Sequence, residues 1–311
     1  MTGGLGYIGG RVSQALASAG WKVRIASRRA ASKIPDWAKG FDFIQIIDAD
    51  RQTLMEACQD CALIVHLAAM NEVDAAKYPE EALRVNGMES LAWLLAAQTM
   101  RAKRFIFFST AHVYAAPLIG SLKETSLPVP RHPYAITHRT AEDFVLAAHA
   151  AGQIDGLVLR LSNAVGAPAD IDVNRWMLVT NDLCRQAVTE NTLTLKSSGL
   201  QLRDFIAMQD ITGAVQHFAE AHRAVWDDGL FNLGSGIAMS VYDMAGLIAD
   251  RARMILSRDV SIERVAPKKG EISESLDFRV DKLRAAGFSP ANDLAREIDA
   301  MLLLCRSAFG K

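Results

Sequence analysis

The sequence predicts an α/β fold built on a doubly wound parallel sheet, with a smaller mixed α/β lobe beside it. Through the first two-thirds of the 311 residues, short apolar runs alternate with longer helical patterns, the order in which parallel strands and their crossover helices follow each other. The short runs are apolar at consecutive positions, which is typical of strands covered by helices on both faces. A chain of this length can bury one large core or two modest ones.

Five strands and three helices follow from these patterns. The strands are expected at residues 22–26, 43–47, 62–67, 104–109 and 156–161, and the helices at 9–19, 82–100 and 134–151. After Asn163 the alternation becomes irregular, and the stretches 168–201 and 240–286 indicate the smaller lobe. We therefore expect a first domain at residues 1–165 that returns near 203–236, and a second lobe made mainly of residues 166–311.

The composition excludes several classes of protein. The formal net charge of −1 gives no basic field that would attract nucleic acid, and no apolar run approaches the roughly 20 residues of a membrane helix. Four cysteines are too few for a disulfide framework, so a reducing cytoplasm fits best. Cys58 and Cys61 form a C-x-x-C pair, but without a second ligand pair it predicts no metal site.

One element is missing from the pattern. A glycine-rich segment at the start should follow a strand at the centre of the sheet, yet only Met1 and Thr2 precede Gly3. Losing that strand would leave backbone groups of two neighbouring strands unpaired, at about 1–3 kcal/mol each. This leads to the hypothesis that Met1 is an internal position of a longer natural chain.

The segment from Gly3 to Gly9 reads G-x-x-G-x-x-G and leads into a helix. Glycines permit a tight turn, and the N–H groups that open the helix can then face a pyrophosphate. The pattern alone is weak, because glycine-rich turns also occur for steric reasons, but its spacing to the signals below favours a dinucleotide. The residues expected to contact the dinucleotide are Gly3, Gly6, Tyr7, Ile8 and Gly9.

The end of the next strand indicates which dinucleotide binds. An acidic residue there would accept hydrogen bonds from the ribose hydroxyls of NAD, whereas this chain has Ser27 and Arg28. A hydroxyl and a guanidinium suit a 2′-phosphate, so NADP is expected, with NAD as the alternative. Asp48, after the following strand, is placed either to accept a hydrogen bond from an adenine amino group or to cap a loop.

Further segments occur in the order of a known family. The residues HLAA at 66–69 end the third strand, and small residues there let a dinucleotide pass close to the backbone. With the TGGxGYIG start and the segments below, this order resembles the extended short-chain dehydrogenase/reductases, in their NAD-dependent epimerase/dehydratase (nucleotide-sugar) branch. The resemblance extends to about Asp281 and implies a Rossmann fold. It also implies that the cofactor is contacted by Leu67, Ala68, Ala69 and Asn86.

The resemblance further assigns the catalytic groups. Thr110 corresponds to the hydroxyl that bonds the substrate oxygen, and Tyr134 to the tyrosine of the family's Tyr-x-x-x-Lys. Four residues after Tyr134, on the same helical face, this chain has His138 instead of lysine. A lysine supplies a positive charge that favours the phenolate and holds the nicotinamide ribose, whereas a histidine is mostly neutral at neutral pH.

Three interpretations of His138 are open. It can replace the lysine with an altered pH optimum, it can mark a protein that binds cofactor with little turnover, or it can mark a reaction that needs a neutral donor near the ribose. The retention of Tyr134 and Thr110 favours an active enzyme over a binding-only protein. In that enzyme Thr110 is expected to orient the hydroxyl, Tyr134 to exchange its proton, and His138 to hold the nicotinamide ribose, so that Tyr134 and His138 also contact the cofactor.

The resemblance implies three substrate-binding positions. Asn163 corresponds to an asparagine that touches the sugar nucleotide, and Arg203, in an R-D-F segment, to an arginine that grips its diphosphate through two parallel bonds. The alternative for Arg203 is a surface ion pair with Asp204 or Asp210. Lys268 falls where many relatives carry a second diphosphate-binding arginine.

The expected function is NAD(P)-dependent epimerisation or redox change at a carbon of a nucleotide sugar. A dehydratase is disfavoured, because Ala111 and His112 replace the Asp-Glu pair that follows the threonine in dehydrating relatives. The alternatives are an NADP-binding sensor without turnover and a carbonyl reductase for a non-nucleotide substrate. The resemblance also implies a homodimer formed through the helices at 82–100 and 134–151. The sequence leaves the sugar and the nucleotide base open.

Overall fold

The computed structural model describes residues 1–310 and confirms the α/β fold. The strands are β1 (Arg24–Ser27), β2 (Asp42–Gln45), β3 (Leu63–His66), β4 (Arg104–Thr110), β5 (Gly120–Leu122), β6 (Asp155–Leu161), β7 (Asn163–Val165), β8 (Thr192–Leu195), β9 (Leu202–Ala207), β10 (Leu230–Leu233), β11 (Ala238–Ser240), β12 (Ser261–Arg264) and β13 (Leu276–Phe278). The α-helices are α1 (Tyr7–Ser18), α2 (Arg51–Cys58), α3 (Glu72–Lys77), α4 (Pro79–Ala82), α5 (Ser90–Thr99), α6 (Pro133–Ala150), α7 (Val179–Thr189), α8 (Met208–Glu220), α9 (Val241–Leu256), α10 (Asp281–Ala285) and α11 (Leu294–Phe309).

A large parallel sheet forms the centre of the molecule. β2 pairs with β1 on one side, and β3, β4, β6 and β10 follow one another on the other side, all parallel. Thr2 joins the two parts, since it bridges Ala26 of β1 and His66 of β3 in parallel register. The order β2-β1-Thr2-β3-β4-β6-β10 therefore reverses direction at Thr2. In open α/β sheets such a reversal leaves a crevice at the carboxyl ends of the strands.

Met1 and Thr2 occupy the place of the strand that the sequence lacks. The Ala26 amide donates to Met1 O at 2.9 Å, the Thr2 amide donates to Val65 O at 3.0 Å, and the Leu67 amide donates to Thr2 O at 3.3 Å. These bonds pair both neighbouring strands at the carboxyl end of the sheet, next to the glycine turn. The hypothesis of a longer natural chain stays a prediction.

Helices cover both faces of the sheet, as the apolar strands predict. One face carries α1 and α8, which pack against each other, and the other carries α2, α5 and α6. The five expected strands occur within two residues of their expected ends. Cys58 of the C-x-x-C pair is buried at the end of α2, before β3. None of the helices within residues 1–310 is both long enough and apolar enough to cross a bilayer.

The helix expected at 82–100 is interrupted. α4 continues into a π-helical turn, Leu83–Glu89, before α5 begins. Most residues after 166 build small sheets, β11-β9-β7, β12-β8 and β13-β5, around which α7, α9 and α11 pack. β5 and β7 join these sheets from earlier in the chain, and β10 returns to the large sheet. β7 and β9 run parallel, so the two strands carry Asn163 and Arg203 toward the same side of the crevice.

Candidate active site

A cavity of about 1000 Å³ lies at the carboxyl ends of the large sheet, where the strand order reverses. Sixteen of the eighteen predicted site residues line it. They are Gly3, Gly6, Tyr7, Ile8, Gly9, Ser27, Arg28, Asp48, Leu67, Ala68, Ala69, Thr110, Tyr134, His138, Asn163 and Arg203.

The glycine turn fits a pyrophosphate. Gly3 has φ +64°, and an added Cβ there would lie 2.9 Å from the Ala68 amide nitrogen. At Gly9 an added Cβ would lie 2.1 Å from Gly3 O, so the chain can make this turn only with glycine at that position. Gly6 opens α1, no side chain caps the helix, and its first turn contains no acidic residue. The N–H groups at this helix start are therefore available to an anion.

Two arginines, Arg28 and Arg29, line the end of the cavity that follows β1. The Arg29 amide donates to Ser27 Oγ at 3.1 Å, which folds the chain after β1 and places Arg28 on the cavity wall. Arg28 is exposed and enters no ion pair among residues 1–310. Asp50, and not Asp48, caps α2, since its Oδ1 accepts from the Gln52 and Thr53 amides at 2.9 and 3.1 Å. Asp48 therefore does not cap that helix, and it lies on the cavity wall instead.

Buried hydrogen bonds hold the segment after β3. Thr2 Oγ1 accepts from the Leu67 and Ala68 amides, each at 3.2 Å, and lies 2.7 Å from His66 Nδ1. His66 Nε2 in turn lies 2.9 Å from Ser90 Oγ. Burial lowers the pKa of His66 to about 3, so the ring is neutral at neutral pH. The wall over which a dinucleotide would pass is thus fixed from behind.

Thr110 and Tyr134 face each other at the centre of the cavity. Thr110 ends β4, and its Oγ1 accepts from the His112 amide at 3.2 Å. Tyr134 is the second residue of α6, whose start is capped by His132 Nδ1. Burial raises the pKa of the Tyr134 phenol to about 12, and Glu72 acts in the same direction. Arg175 and the Thr110 side chain oppose this rise in pKa.

His138 is neutral and its tautomer is fixed. The ring is 2% exposed, and Nδ1 lies 2.7 Å from the Tyr134 carbonyl oxygen. Because a carbonyl oxygen only accepts, Nδ1 carries the proton and Nε2 is an acceptor. Burial lowers the pKa of His138 to about 4. The ring centroids of Tyr134 and His138 are 4.2 Å apart, yet at neutral pH His138 brings no positive charge to the phenol.

Arg203 is not neutralised by either of the aspartates considered for it. Asp204 is fully buried and accepts from Ser235 and Gly236 amides at 2.9 and 2.7 Å. Asp210 accepts from the amides of residues 291 and 292 at 3.0 and 2.7 Å. Within residues 1–310 no salt bridge includes Arg203, so the surface-pair interpretation is wrong. Burial lowers the pKa of its guanidinium, as expected of a charge held in a cavity wall.

Asn163 is oriented by β9, the strand that carries Arg203. Its Nδ2 donates to Asp204 O at 2.9 Å, which fixes the amide and leaves Oδ1 as an acceptor on the cavity wall. The two implied substrate-binding residues on β7 and β9 are thus brought together by the pairing of their strands.

The structure does not bring Asn86 and Lys268 to the cavity. Asn86 is 1% exposed; its Oδ1 accepts from the Met70 amide at 2.7 Å and its Nδ2 donates to Thr137 Oγ1 at 3.0 Å. It supports the wall from behind because the π-helical turn directs it inward. Lys268 lies in an exposed loop closed by its own amide, which donates to Glu271 Oε2 at 2.8 Å.

Several charged or titratable residues line the cavity without having been predicted to take part in the site, among them Glu72, His112 and Arg175. Glu72 Oε1 lies 3.4 Å from His112 Nε2. Arg175 lies between β7 and α7, in the stretch that the sequence shows only as irregular. Nothing in the spacing of these residues marks them, because they come from separate segments that only the tertiary fold unites.

The fold and the cavity are those of an α/β protein with a glycine turn at the reversal of strand order, and with a tyrosine and a threonine in the same cavity. A family model described as the NAD dependent epimerase/dehydratase family matches residues 1–234. The chain belongs to this family, which is a family of enzymes.

Known proteins resemble the chain over nearly its full length. A UDP-glucose 4-epimerase of Rhizobium leguminosarum bv. trifolii is 27% identical and is aligned over 96% of this chain and 94% of its own length. A UDP-N-acetylglucosamine 4-epimerase from Methanobrevibacter ruminantium, solved with UDP-N-acetylmuramic acid, superposes with a TM-score of 0.83 at 23% identity over 99% of this chain and 97% of its own. RMD from Pseudomonas aeruginosa, solved with NADPH, superposes with a TM-score of 0.75 at 20% identity over 99% and 98%. At these identities the two structures establish the shared fold.

Proposed function

We propose that this protein epimerises, oxidises or reduces a carbon of a nucleotide sugar with a nicotinamide dinucleotide. One observation carries the proposal: the glycine turn, the Thr110–Tyr134 pair and the unpaired Arg203 all line a single cavity. A dinucleotide site, a proton-transfer group and a phosphate-binding group are the three parts that such a reaction needs. The names of the relatives, which include UDP-sugar epimerases, support the same substrate class.

The residues have distinct tasks in the proposed reaction. The Gly3–Gly9 turn would hold the dinucleotide, which would supply the hydride acceptor and donor for the sugar carbon. The Tyr134 oxygen takes the proton of the sugar hydroxyl while the C–H bond of the carbon that bears this hydroxyl breaks. In the reverse direction it gives the proton back. The Thr110 hydroxyl bonds the same substrate oxygen and so orients it toward Tyr134. Arg203 binds the diphosphate and fixes the position of the sugar.

We further propose NADP as the cofactor, with NAD as the alternative. Support comes from Ser27 and the exposed, unpaired Arg28 beside the cavity, where a 2′-phosphate would find a hydroxyl and a guanidinium. Titrations of nucleotide fluorescence with NADPH and NADH test this directly. Arg28→Ala should weaken NADPH binding about tenfold or more and leave NADH binding nearly unchanged. Equal losses for both nucleotides would contradict the preference.

The reaction itself is tested with a panel of UDP-, GDP- and dTDP-sugars, following cofactor reduction and sugar epimerisation by NMR. Tyr134→Phe should abolish turnover while nucleotide-sugar binding persists. Arg203→Ala should weaken nucleotide-sugar binding by one to two orders of magnitude, because a charge-assisted phosphate contact is lost. Cofactor binding without any turnover would favour the sensor, and unchanged binding by Arg203→Ala would favour a carbonyl reductase of a non-nucleotide substrate.

We also propose a homodimer. The π-helical turn, α5 and α6 expose large apolar side chains to solvent, among them Met88 (64%), Leu95 (52%), Ile136 (46%) and Phe144 (43%). α6 also packs against the π-helical turn and α5, so these side chains belong to neighbouring helices. Two helices per chain, placed against the same pair of a second copy, would bury them in a closed two-fold contact.

A further inference from the structure

The replacement of the family's lysine leaves Tyr134 without the positive charge that usually follows it in the helix. His138 occupies that position, but its Nδ1 proton is committed to the Tyr134 carbonyl at 2.7 Å and the ring is 2% exposed. A phenol that takes a proton from a sugar hydroxyl needs its anionic form stabilised by a charge from another part of the fold.

We propose that Arg175 supplies this charge across the cavity and so takes over the electrostatic part of the lysine's role. Arg175 lines the same cavity as Tyr134 and His138. Its guanidinium forms no hydrogen bond or salt bridge with any residue from 1 to 310, so its charge is not neutralised by a neighbour. An arginine guanidinium carries a positive charge in proteins.

The position of Arg175 is fixed by its backbone. Asn181 Nδ2 and the Leu178 amide donate to Arg175 O at 3.1 and 3.2 Å, which ties this segment to the start of α7. Asn181 Oδ1 accepts from Tyr7 Oη at 3.2 Å, which links the same point to the first turn of α1. Arg175 therefore lies on a part of the backbone held by hydrogen bonds, in the lining of the cavity that also contains Tyr134.

The cavity lining also includes Glu72 on α3, His112 after β4, His138 on α6 and Arg203 on β9, whereas His132, which caps α6, lies outside that lining. Glu72 raises the pKa of Tyr134, whereas Arg175 lowers it. Glu72 lies 3.4 Å from His112 Nε2 and also acts on the pKa of Arg203. Arg203 is reserved for the proposed diphosphate, whereas Arg175 acts on the pKa of Tyr134, which makes Arg175 the guanidinium that serves the phenol.

The test measures the pKa of the phenol at position 134. Difluorotyrosine is incorporated at position 134 of the full chain, because its phenol is more acidic than that of tyrosine and titrates while the protein is folded. The titration is followed by fluorine NMR without cofactor or substrate. The inference rests on the proposed role of Tyr134 in turnover, yet a substrate-free titration can fail or succeed independently of whether the sugar assays show turnover.

Arg175→Gln should raise the pKa of the fluorinated phenol by on the order of one unit, the effect of one unit charge at moderate distance in a partly screened site. Arg175→Lys should restore most of the original value, since it restores the charge. His138→Gln should leave the titration unchanged, because it replaces one neutral group by another, and His138→Lys should lower the pKa.

Two results would overturn the proposal. One is an Arg175→Gln phenol that titrates as in the unsubstituted chain, and the other is a His138→Gln phenol whose pKa rises as much as that of Arg175→Gln. Urea unfolding of each variant verifies folding. Arg175→Gln should unfold like the unsubstituted chain, since the guanidinium makes no structural contact among residues 1–310.

Discussion

At Gly9 the backbone of the site leaves no room for a methyl group. An added Cβ would lie 2.1 Å from Gly3 O, and that oxygen already accepts from the Gly6 amide at 2.8 Å. Gly9→Ala should therefore displace the turn, destabilise the fold by about 1–3 kcal/mol and weaken dinucleotide binding at least about tenfold. Urea unfolding and fluorescence titration with NADPH measure the two effects.

Gly246 provides the matched control. It lies in α9, and an added Cβ there meets nothing within 4 Å. Gly246→Ala should stabilise the protein by about 0.5–1 kcal/mol, because alanine favours a helix, and should leave NADPH binding unchanged. Equal NADPH affinities for both variants would show that the Gly3–Gly9 turn does not hold the dinucleotide.

Two buried histidines make the fold sensitive to acid. The pKa of His138 falls to about 4 and that of His66 to about 3, both below the ordinary value of 6.5. A lowered pKa contributes stability above pH 6.5 that is lost as the pH falls toward the folded-state value. For His138 the loss is on the order of 3 kcal/mol.

The free energy of unfolding, measured in urea from pH 7.5 to 4.5, should therefore decline over this range, and His138→Gln should flatten the decline. A variant that declines as steeply as the unsubstituted chain would mean that His138 is charged in the folded protein.

At the scale of the elements, the π-helical turn between α4 and α5 has a structural consequence for the site. The turn directs Asn86 inward. There the Asn86 side chain accepts a hydrogen bond from the Met70 amide at 2.7 Å and donates one to Thr137 on α6 at 3.0 Å. Asn86→Ala would leave the Met70 amide without its partner. We expect a loss of about 1–3 kcal/mol in unfolding free energy, with less than about threefold change in NADPH affinity. A large loss of affinity at unchanged stability would instead place Asn86 in direct contact with the cofactor.

The π-helical turn could not be predicted from the sequence, whereas the large sheet could. The apolar runs of the strands predict the sheet and its crevice, because these depend on local periodicity, whereas the Tyr134–His138 pair was identified by the family resemblance. The π-helical turn has no periodicity of its own and was therefore expected as part of one α-helix. Asn86 and Lys268 were placed in the cavity by position within family segments, which does not fix the direction of a side chain or the path of a loop.

The remaining site residues depend on tertiary structure. Arg175 and Glu72 meet at the cavity from segments about a hundred positions apart, so no local pattern joins them. The neutrality of His138 was predicted in part from its ordinary pKa, but its tautomer follows only from the Tyr134 carbonyl that the helix places beside it. The absence of an ion pair between Arg203 and either Asp204 or Asp210 likewise follows only from the structure, which shows the other hydrogen-bond partners of the two aspartates.

At the scale of the whole molecule, the exposed side chains of the π-helical turn, α5 and α6 predict an association that can be broken by one charge. Phe144→Glu should convert the proposed dimer into a monomer, because a carboxylate would be buried in an apolar contact. Light scattering after size exclusion measures the mass. Met254→Glu is the control: Met254 is 68% exposed on α9, away from these helices, and its replacement should leave the mass unchanged. A Phe144→Glu protein with the mass of the unsubstituted chain would place any contact elsewhere.

Tyr7 connects the first turn of α1 with two segments that follow β7, at Gly166 and at Asn181. From the first turn of α1 its hydroxyl donates to Gly166 O at 2.8 Å and lies 3.2 Å from Asn181 Oδ1, beyond the large sheet. Because the Tyr7 hydroxyl connects these segments, a ligand that orders one of them also partly orders the other. A second ligand that binds the other segment then loses less conformational entropy of the protein on binding. By reciprocity the two ligands then strengthen each other's binding by the same factor, whichever arrives first. In calorimetry, Tyr7→Phe should leave each ligand's separate affinity nearly intact and erase that mutual gain.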